Sequence, residues 1–262
     1  MEIVEHRPTA RVLDILEVLA TNSEGLTLTE ISNLIKVPKS TILPLIRTLV
    51  FRKFLFFNKN SYKYTIGINC FCVGSSYTNN MTSLEFIKNE MNYIVKETDE
   101  ICQMGIMHDN KVLYIAKVDS TNPIRIISYV GKKLPAYCTA LGKAMLSETS
   151  LSDLKKMYPN KLIAFTKNTI TDINTLYDQL LEVKEKQIAS EYGEINEQSY
   201  CLSTPIFQNN KIIAAISVSV PYFRMSDEKT ILIKKLLLEA KTKIETFLKD
   251  NNIDINPFKN ND

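Results

Sequence analysis

Residues 28–51, LTEISNLIKVPKSTILPLIRTLVF, decide the fold of the amino-terminal part of this chain. Leu28, Ile31, Leu34 and Ile35 recur at helical spacing and give a short amphipathic helix, with Thr27 or Thr29 as its N-cap. Val37, Pro38 and Lys39 supply a turn. From about Ser40 to Phe51, Ile42, Leu45, Ile46 and Leu49 face inward, leaving Lys39, Ser40, Thr41, Arg47 and Thr48 outside. The second of these helices is a candidate recognition helix. Pro44 lies within it and lacks the N–H that a helix interior needs. A start near Ser40 puts Pro44 at the edge of the first turn and predicts an irregular beginning to the helix.

Working outward, Thr9 to Leu19 places Val12, Ile15, Leu16 and Leu19 on one stripe, and Asn22 to Gly25 breaks it. On the other side, Phe54 to Phe57 and Tyr62 to Ile66 are β-prone runs joined by Asn58, Lys59, Asn60 and Ser61, which reads as a hairpin, or wing. Three helices and a basic hairpin in this order form a winged helix-turn-helix. Its third helix enters the major groove of DNA, and its wing reaches a flanking phosphate or the minor groove. Charge supports this reading. Between Ile31 and Leu84 there is no Asp or Glu, whereas Lys36, Lys39, Arg47, Arg52, Lys53, Lys59 and Lys63 all fall there. Carboxylates in such a stretch would cancel the attraction of Lys and Arg for a phosphate array. Residues 1–76 carry nine basic and six acidic side chains, and the remainder balances at 23 of each.

Lys39, Thr41, Arg47 and Thr48 are therefore the candidate base-reading or backbone contacts, and Ser40 is either a contact or a helix cap. Lys59 and Lys63 are candidate phosphate contacts that position without specifying, and Arg7 and Arg11 extend the footprint from the arm. The alternative is a three-helix interaction module whose basic face is simply solvated.

The length, 262 residues, accommodates two domains, and 45% hydrophobic with 23% charged residues is a globular composition. No apolar run approaches the roughly 20 residues that span a bilayer, and Met1 to Pro8 lacks a signal core, so a cytoplasmic protein with no membrane partner is expected. Cys70, Cys72, Cys102, Cys138 and Cys201 form an odd, scattered set that suits reduced thiols. With only His6 and His108 and no CxxC pair, neither a metal site nor a cofactor is expected.

Gly67 to Thr82 reads as a small, polar connector. From Ser83 the stripe Leu84, Ile87, Met91, Ile94 and Val95 marks a connecting helix, which either pairs with a twin or is plain core. Beyond it, Ile101 to Met107 and Val112 to Val118 are hairpin strands turning at Asp109-Asn110, and Ile124 to Val130 is a further strand. Helices follow at Ala140 to Ser147, Leu151 to Met157 and Ile173 to Lys186. Strands at Ser203 to Phe207 and Ile212 to Val220 and a last helix at Asp227 to Lys249 complete an α+β domain with a mostly antiparallel sheet. The expected domains are residues 1–76, a linker helix 77–98, a second domain 99–250 and a frayed tail 251–262.

Four segments carry a family resemblance: Gly131-Lys132-Lys133-Leu134-Pro135, Thr139-Ala140-Leu141-Gly142-Lys143-Ala144, Cys201-Leu202-Ser203-Thr204-Pro205 and Ala214-Ala215-Ile216-Ser217-Val218-Ser219. In this order, from about Thr9 to Leu248, the chain resembles the IclR family of bacterial transcription regulators. The resemblance implies a carboxy-terminal GAF-like effector-binding domain and a homodimer or dimer of dimers; no enzymatic activity is expected, since the chain offers no nucleophile elbow and only one histidine in the second domain. It also implies binding to a double-stranded DNA operator that a small organic acid alters, with repression of a catabolic or metabolic operon as the expected outcome. Carried over position by position, the effector pocket comprises Ile126, Leu134, Ala140 and Leu141 along one wall, with Glu191, Cys201, Ser217 and Ser219 as polar groups.

Ser217 and Ser219, two apart in a strand, share a face. Their hydroxyls, with backbone N–H groups near Ala140, Leu141 and Gly142, suit a carboxylate. Equally, these serines can satisfy neighbouring backbone, and Cys201 can be a packed small hydrophobe. The chain departs from the family pattern at Pro44, where Arg is common, and at Lys53, Gln187, Gln198 and Val220, where Gly is common. Glu191 stands where Asp is frequent. Two other functions remain open from the residues alone: a hydrolase with Cys201 or Ser217 as nucleophile and His108 as base, and a thiol redox sensor using Cys138 and Cys201.

Overall fold

The computed structural model describes residues 5–79, 82–124, 126 and 128–251. The chain divides into two compact units, Met1–Met81 and Thr82–Asp262. Among the described residues no helix is long and apolar enough to cross a membrane.

The first unit contains α1 (Arg7–Ala20), α2 (Leu28–Leu34), α3 (Lys39–Phe51), α4 (Ile68–Asn79) and a sheet of β1 (Leu26–Thr27), β2 (Leu55–Asn58) and β3 (Lys63–Ile66) in the order β1-β3-β2. Ile15, Leu19, Ile31, Ile42, Ile46, Leu49 and Leu55 form one core, so the helical stripes read from the sequence are the ones that pack. Thr27 caps α2 in a reciprocal box: its side chain accepts the Glu30 N–H, and the Glu30 carboxylate accepts the Thr27 N–H at 2.7 Å. Such a cap stabilises a helix by about 1 kcal/mol.

Helix α3 corrects two expectations. Its N-cap is Pro38, with no side-chain cap, so Ser40 is an exposed residue of the first turn rather than the cap. The start is not irregular either, since the Pro38 carbonyl accepts both Thr41 N–H at 3.0 Å and Ile42 N–H at 3.3 Å. Pro44 falls in the second turn of an unbroken helix. Its ring is exposed, and the Thr48 hydroxyl donates to the Pro44 carbonyl at 3.0 Å, so the cost is confined to the one N–H that proline lacks.

The polar connector expected from Gly67 onward is helical as α4, and the boundary expected at residue 76 falls inside it. Its serines bond back along the helix, Ser75 to the Cys72 carbonyl at 3.0 Å and Ser76 to the Val73 carbonyl at 2.7 Å. Their polarity is thereby satisfied without leaving the helix.

The second unit is a six-stranded antiparallel sheet of β4 (Ile101–His108), β5 (Lys111–Val118), β6 (Lys133–Pro135), β7 (Ala189–Tyr192), β8 (Ser199–Gln208) and β9 (Lys211–Pro221), ordered β6-β5-β4-β9-β8-β7. Helices α5 (Thr82–Thr98) and α9 (Asp227–Asp250) pack against the sheet and each other. With α6 (Ala140–Leu146), α7 (Leu151–Met157) and α8 (Ile173–Lys186), they complete the α+β architecture. Leu84, Ile87, Met91, Ile94 and Val95 of α5 are all buried, which makes the connecting-helix stripe core of this unit. Full burial of such side chains contributes about 1.5–3 kcal/mol each.

The turns Asp109-Asn110 and Asn209-Asn210 have φ of 50° and 58° and of 50° and 59°, the left-handed pairs that join twisted strands tightly. In α6, a Cβ on Gly142 would lie 2.0 Å from the Ala136 carbonyl oxygen, so only glycine lets this helix sit on the turn at Ala136–Cys138.

Two of the short strands, β6 and β7, were not foreseen, and the strand expected at Ile124 to Val130 is absent from its described residues; Arg125 and Ile127 lie outside them. The edge of β5 is instead taken by the chain just beyond, where Gly131 N–H donates to the Tyr114 carbonyl at 2.7 Å and Tyr114 N–H to the Lys132 carbonyl at 3.0 Å. Of the frayed tail expected at residues 251–262, all but Asn251 lies outside the described residues. Lys53 and Gln187 adopt φ of 57° and 55°. Both are positions where the family pattern favours glycine, and the left-handed backbone gives the reason.

Candidate functional site

Alternation along β9 sends Ser217, Ser219 and Pro221 to one face of the sheet, and the register brings Gln103 of β4 opposite Ser217 and Cys201 of β8 opposite Ser219. These side chains floor a cavity of about 330 Å³ in the second unit. All eight positions singled out for the pocket line it: Ile126, Leu134, Ala140 and Leu141 supply apolar surface, and Glu191, Cys201, Ser217 and Ser219 polar surface. The sequence reading missed Gln103, Ser128, Tyr114, Lys132 and Phe223, which also line it. Gln103 was detectable as a lone amide inside an apolar strand, and Lys132 stands within one of the quoted family segments.

The polar groups form a continuous ribbon. The Cys201 thiol donates to the Ser219 hydroxyl at 3.2 Å, Ser219 donates to Gln103 Oε1 at 3.3 Å, and the Gln103 amide donates to the Ser128 hydroxyl. Glu191 joins the ribbon at Cys201 and accepts the N–H groups of Glu194 and of Ile195, the latter at 3.3 Å. Burial pushes the Glu191 carboxyl up to about 7, against the opposing pull of those N–H groups. Glu194 in turn receives the ammonium of Lys143, whose side chain is 1% exposed and which also donates to Gln179 at 2.9 Å. The loop from Gly193 to Gln198, which contributes Ile195, Asn196 and Gln198 to the cavity wall, is thereby anchored from both sides. Of the three N–H groups considered for a carboxylate, that of Gly142 is taken by the Thr139 hydroxyl at 3.1 Å.

The hydrolase reading fails on geometry, and burial works against the thiol reading. Cys201 lies level with Ile101 across the sheet, through their common partner Ser219, whereas His108 ends β4. At ~3.3 Å per residue, seven residues separate them by about 23 Å, and five residues separate the level of Ser217 from His108 by about 17 Å. His108 instead lies 3.3 Å from the Asp109 carboxylate at the hairpin turn. Burial pushes the Cys138 thiol up to about 12 and raises Cys201 well above the ordinary thiol value, the opposite of what an attacking or oxidisable thiolate requires. All five cysteines are free.

In the first unit, Lys39, Ser40, Arg47 and Thr48 are exposed on α3, and Thr41 is half-buried. Arg7 is exposed at the start of α1, and Arg11 is half-buried on the same helix. Lys59 is exposed in the β2–β3 turn, where the Asn58 side chain accepts the N–H of Asn60 at 2.9 Å. Lys63 differs: it is half-buried and pairs with Thr27 across β1–β3, and the Glu30 carboxyl, lowered chiefly by its hydrogen bonds from Thr27, is lowered further by the Lys63 charge.

Comparison with known proteins agrees with both halves. The IclR helix-turn-helix domain matches residues 8–56, and the bacterial transcriptional regulator IclR C-terminal domain matches residues 75–246. The HTH-type transcriptional regulator BhcR of Paracoccus denitrificans is 29% identical over 236 residues, covering 89% of this chain and 84% of its own. The crystal structure of an IclR transcriptional regulator from Alicyclobacillus acidocaldarius superposes with a TM-score of 0.84 at 25% identity, covering 93% of this chain and 99% of its own. An IclR homolog from Microbacterium hydrocarbonoxydans, complexed with 4-hydroxybenzoate, shares the fold with a TM-score of 0.79 at 20% identity over 93% and 99% of the two chains. Matched in both domains and in their order, the chain belongs to the IclR family of DNA-binding, ligand-responsive transcriptional regulators.

Proposed function

We propose that this regulator is a repressor whose second unit binds a small organic acid and whose first unit reads an operator. The cavity carries this reading. At about 330 Å³ it stands at the lower end of the range for ligand sites, and it sets a hydrogen-bonding ribbon against apolar surface from Leu134, Ala140 and Leu141. That composition suits a compact acid with one polar end, and 4-hydroxybenzoate, bound by the Microbacterium homolog, is the first compound to test. Glu191, Cys201, Ser217 and Ser219 supply its polar contacts.

On the DNA side, Lys39, Ser40, Thr41, Arg47 and Thr48 of α3 meet the major groove. Lys59, with weaker support from Lys63, Arg7 and Arg11, holds phosphates. A cytoplasmic homodimer, or a dimer of dimers, reads a pseudo-palindromic site, since one α3 covers only a half-site. Repression is the simplest action for such a protein, because occupying a promoter excludes other proteins without further contacts. Binding of the purified protein to its own upstream DNA, followed by fluorescence anisotropy with and without small acids, tests the proposal. Coupling of about 1–3 kcal/mol shifts operator affinity roughly 5- to 150-fold. Operator affinity that no acid alters removes the sensing role.

A further inference from the structure

Among the described residues, which leave out Arg125, the cations of the second unit that lie near the cavity are almost all committed. Lys117 donates to the Ser128 carbonyl at 2.7 Å and pairs with Asp119 at 2.9 Å, Lys143 is held by Glu194 and Gln179, and Arg224 and Lys229 both bind Glu100 at 2.6 Å. Lys132 is the exception. It lines the cavity and is half-buried, yet its ammonium has no ion pair or hydrogen bond among the described residues. Burial is what lowers its affinity for a proton, with no carboxylate to offset it, so a ligand anion supplies what the fold leaves out.

Position adds direction to that unpaired charge. Lys132 immediately precedes β6 at one edge of the six-stranded sheet, and Glu191 sits on β7 at the other, so the sheet curls to bring both to one cavity. The Glu191 side already holds one acid, with Glu194 beside it, and its hydrogen bonds run within the ribbon. A second carboxylate there crowds an acid that burial already makes reluctant to ionise, whereas a neutral hydroxyl or keto oxygen brings no charge beside it. Ser217, on the floor between the two edges, has a hydroxyl with no partner among the described residues.

We propose that Lys132 selects the charge of the effector: its ammonium receives the carboxylate at the β6 edge, and the ligand's far end presents an uncharged oxygen to the floor around Ser217. The site therefore takes a hydroxy- or keto-monocarboxylate in preference to a dicarboxylate or a neutral amide. This assignment rests on the effector-binding reading above and narrows it to one residue and one ligand class.

The test is calorimetric titration of the full-length protein with pyruvate, lactate and 4-hydroxybenzoate, each beside its primary amide. Wild type, Lys132→Met, Lys132→Arg and Lys133→Met are compared, the last altering an exposed neighbour outside the cavity. Wild type is expected to bind at least one acid tenfold or more tightly than its amide. Lys132→Met loses tenfold or more in acid affinity and no longer distinguishes acid from amide, Lys132→Arg recovers most of both, and Lys133→Met changes neither. An acid that Lys132→Met still binds within twofold of wild type, or still prefers over its amide, overturns the assignment and leaves the effector reading standing. If none of the three acids binds wild type while operator binding is intact, the effector reading falls with it.

Discussion

In the first unit Lys39, Arg47 and Lys59 are exposed, and none is in an ion pair among the described residues. In the second, Lys143, Arg224 and Lys229 are drawn onto Glu194 and Glu100, whose side chains are only 5% and 1% exposed. The two arrangements answer different needs. Exposed cations contribute little to stability, because water and salt screen them, but they remain available to a phosphate array. Buried pairs cannot be released without stranding a charge, so they fix where loops and helices meet.

The sharpest way to break this contrast is Lys143→Met, which leaves Glu194 buried without its partner. A loss of about 3–5 kcal/mol in the second unit is expected in urea unfolding. A loss under about 1 kcal/mol would show that the pair does not anchor the loop. Next in size is the proton on Glu191. Its carboxyl is raised from 4.5 to about 7, so the folded chain holds this proton more tightly than the unfolded one. The associated stability is fully present below about pH 4.5 and is lost as pH rises to about 7. At 1.36 kcal/mol per unit the loss is on the order of 3 kcal/mol. Glu191→Gln should flatten the change seen between pH 4.5 and 8 in urea titrations, and an unaltered pH profile would contradict the burial argument.

Smaller effects belong to the exposed cations. Arg47→Ala should weaken specific operator binding by about 1–3 kcal/mol and relax preference at one base position, measured against a scrambled duplex. Lys59→Ala should weaken both duplexes alike and lower the salt slope of binding by about one. Equal losses from both substitutions on both duplexes would erase the division between reading and positioning.

Legibility in the sequence differs between the units for physical reasons. Helices α1 to α3 were readable because their stripes face one small core at a period of 3.6, and Thr27 with Glu30 is a purely local capping signal. Pro44 misled because proline suggests a helix start, whereas its exposed ring here costs a single N–H. Helix α4 was hidden by Gly74, Ser75 and Ser76, which carry no apolar period. In the second unit, resemblance located the eight pocket positions, but not the ribbon that joins three of them, Glu191, Cys201 and Ser219, to Gln103 and Ser128. That ribbon depends on register: pairing Gln103 opposite Ser217 brings it within reach of Ser219, 116 residues away in sequence, and Cys201 faces Ser219 from the other neighbouring strand. Lys132 was passed over because an irregular edge segment gives no period from which to infer its direction.

The floor of the cavity rests on β4 and β9, the two innermost strands of the sheet. Amides in such strands exchange with deuterium only when the whole unit opens, so a bound ligand can slow them no further than it stabilises the unit itself. The loop from Gly193 to Gln198 is tied down mainly through side chains, Lys143 on Glu194 and Thr166 on the Gly193 carbonyl at 2.6 Å. Its own amides sit in local bonds, Gly193 to the Ser199 carbonyl at 2.9 Å and Glu194 and Ile195 to the Glu191 carboxylate, so they exchange when the loop alone opens. The cavity thus combines a template that stays still with a rim whose exchange rate records occupancy.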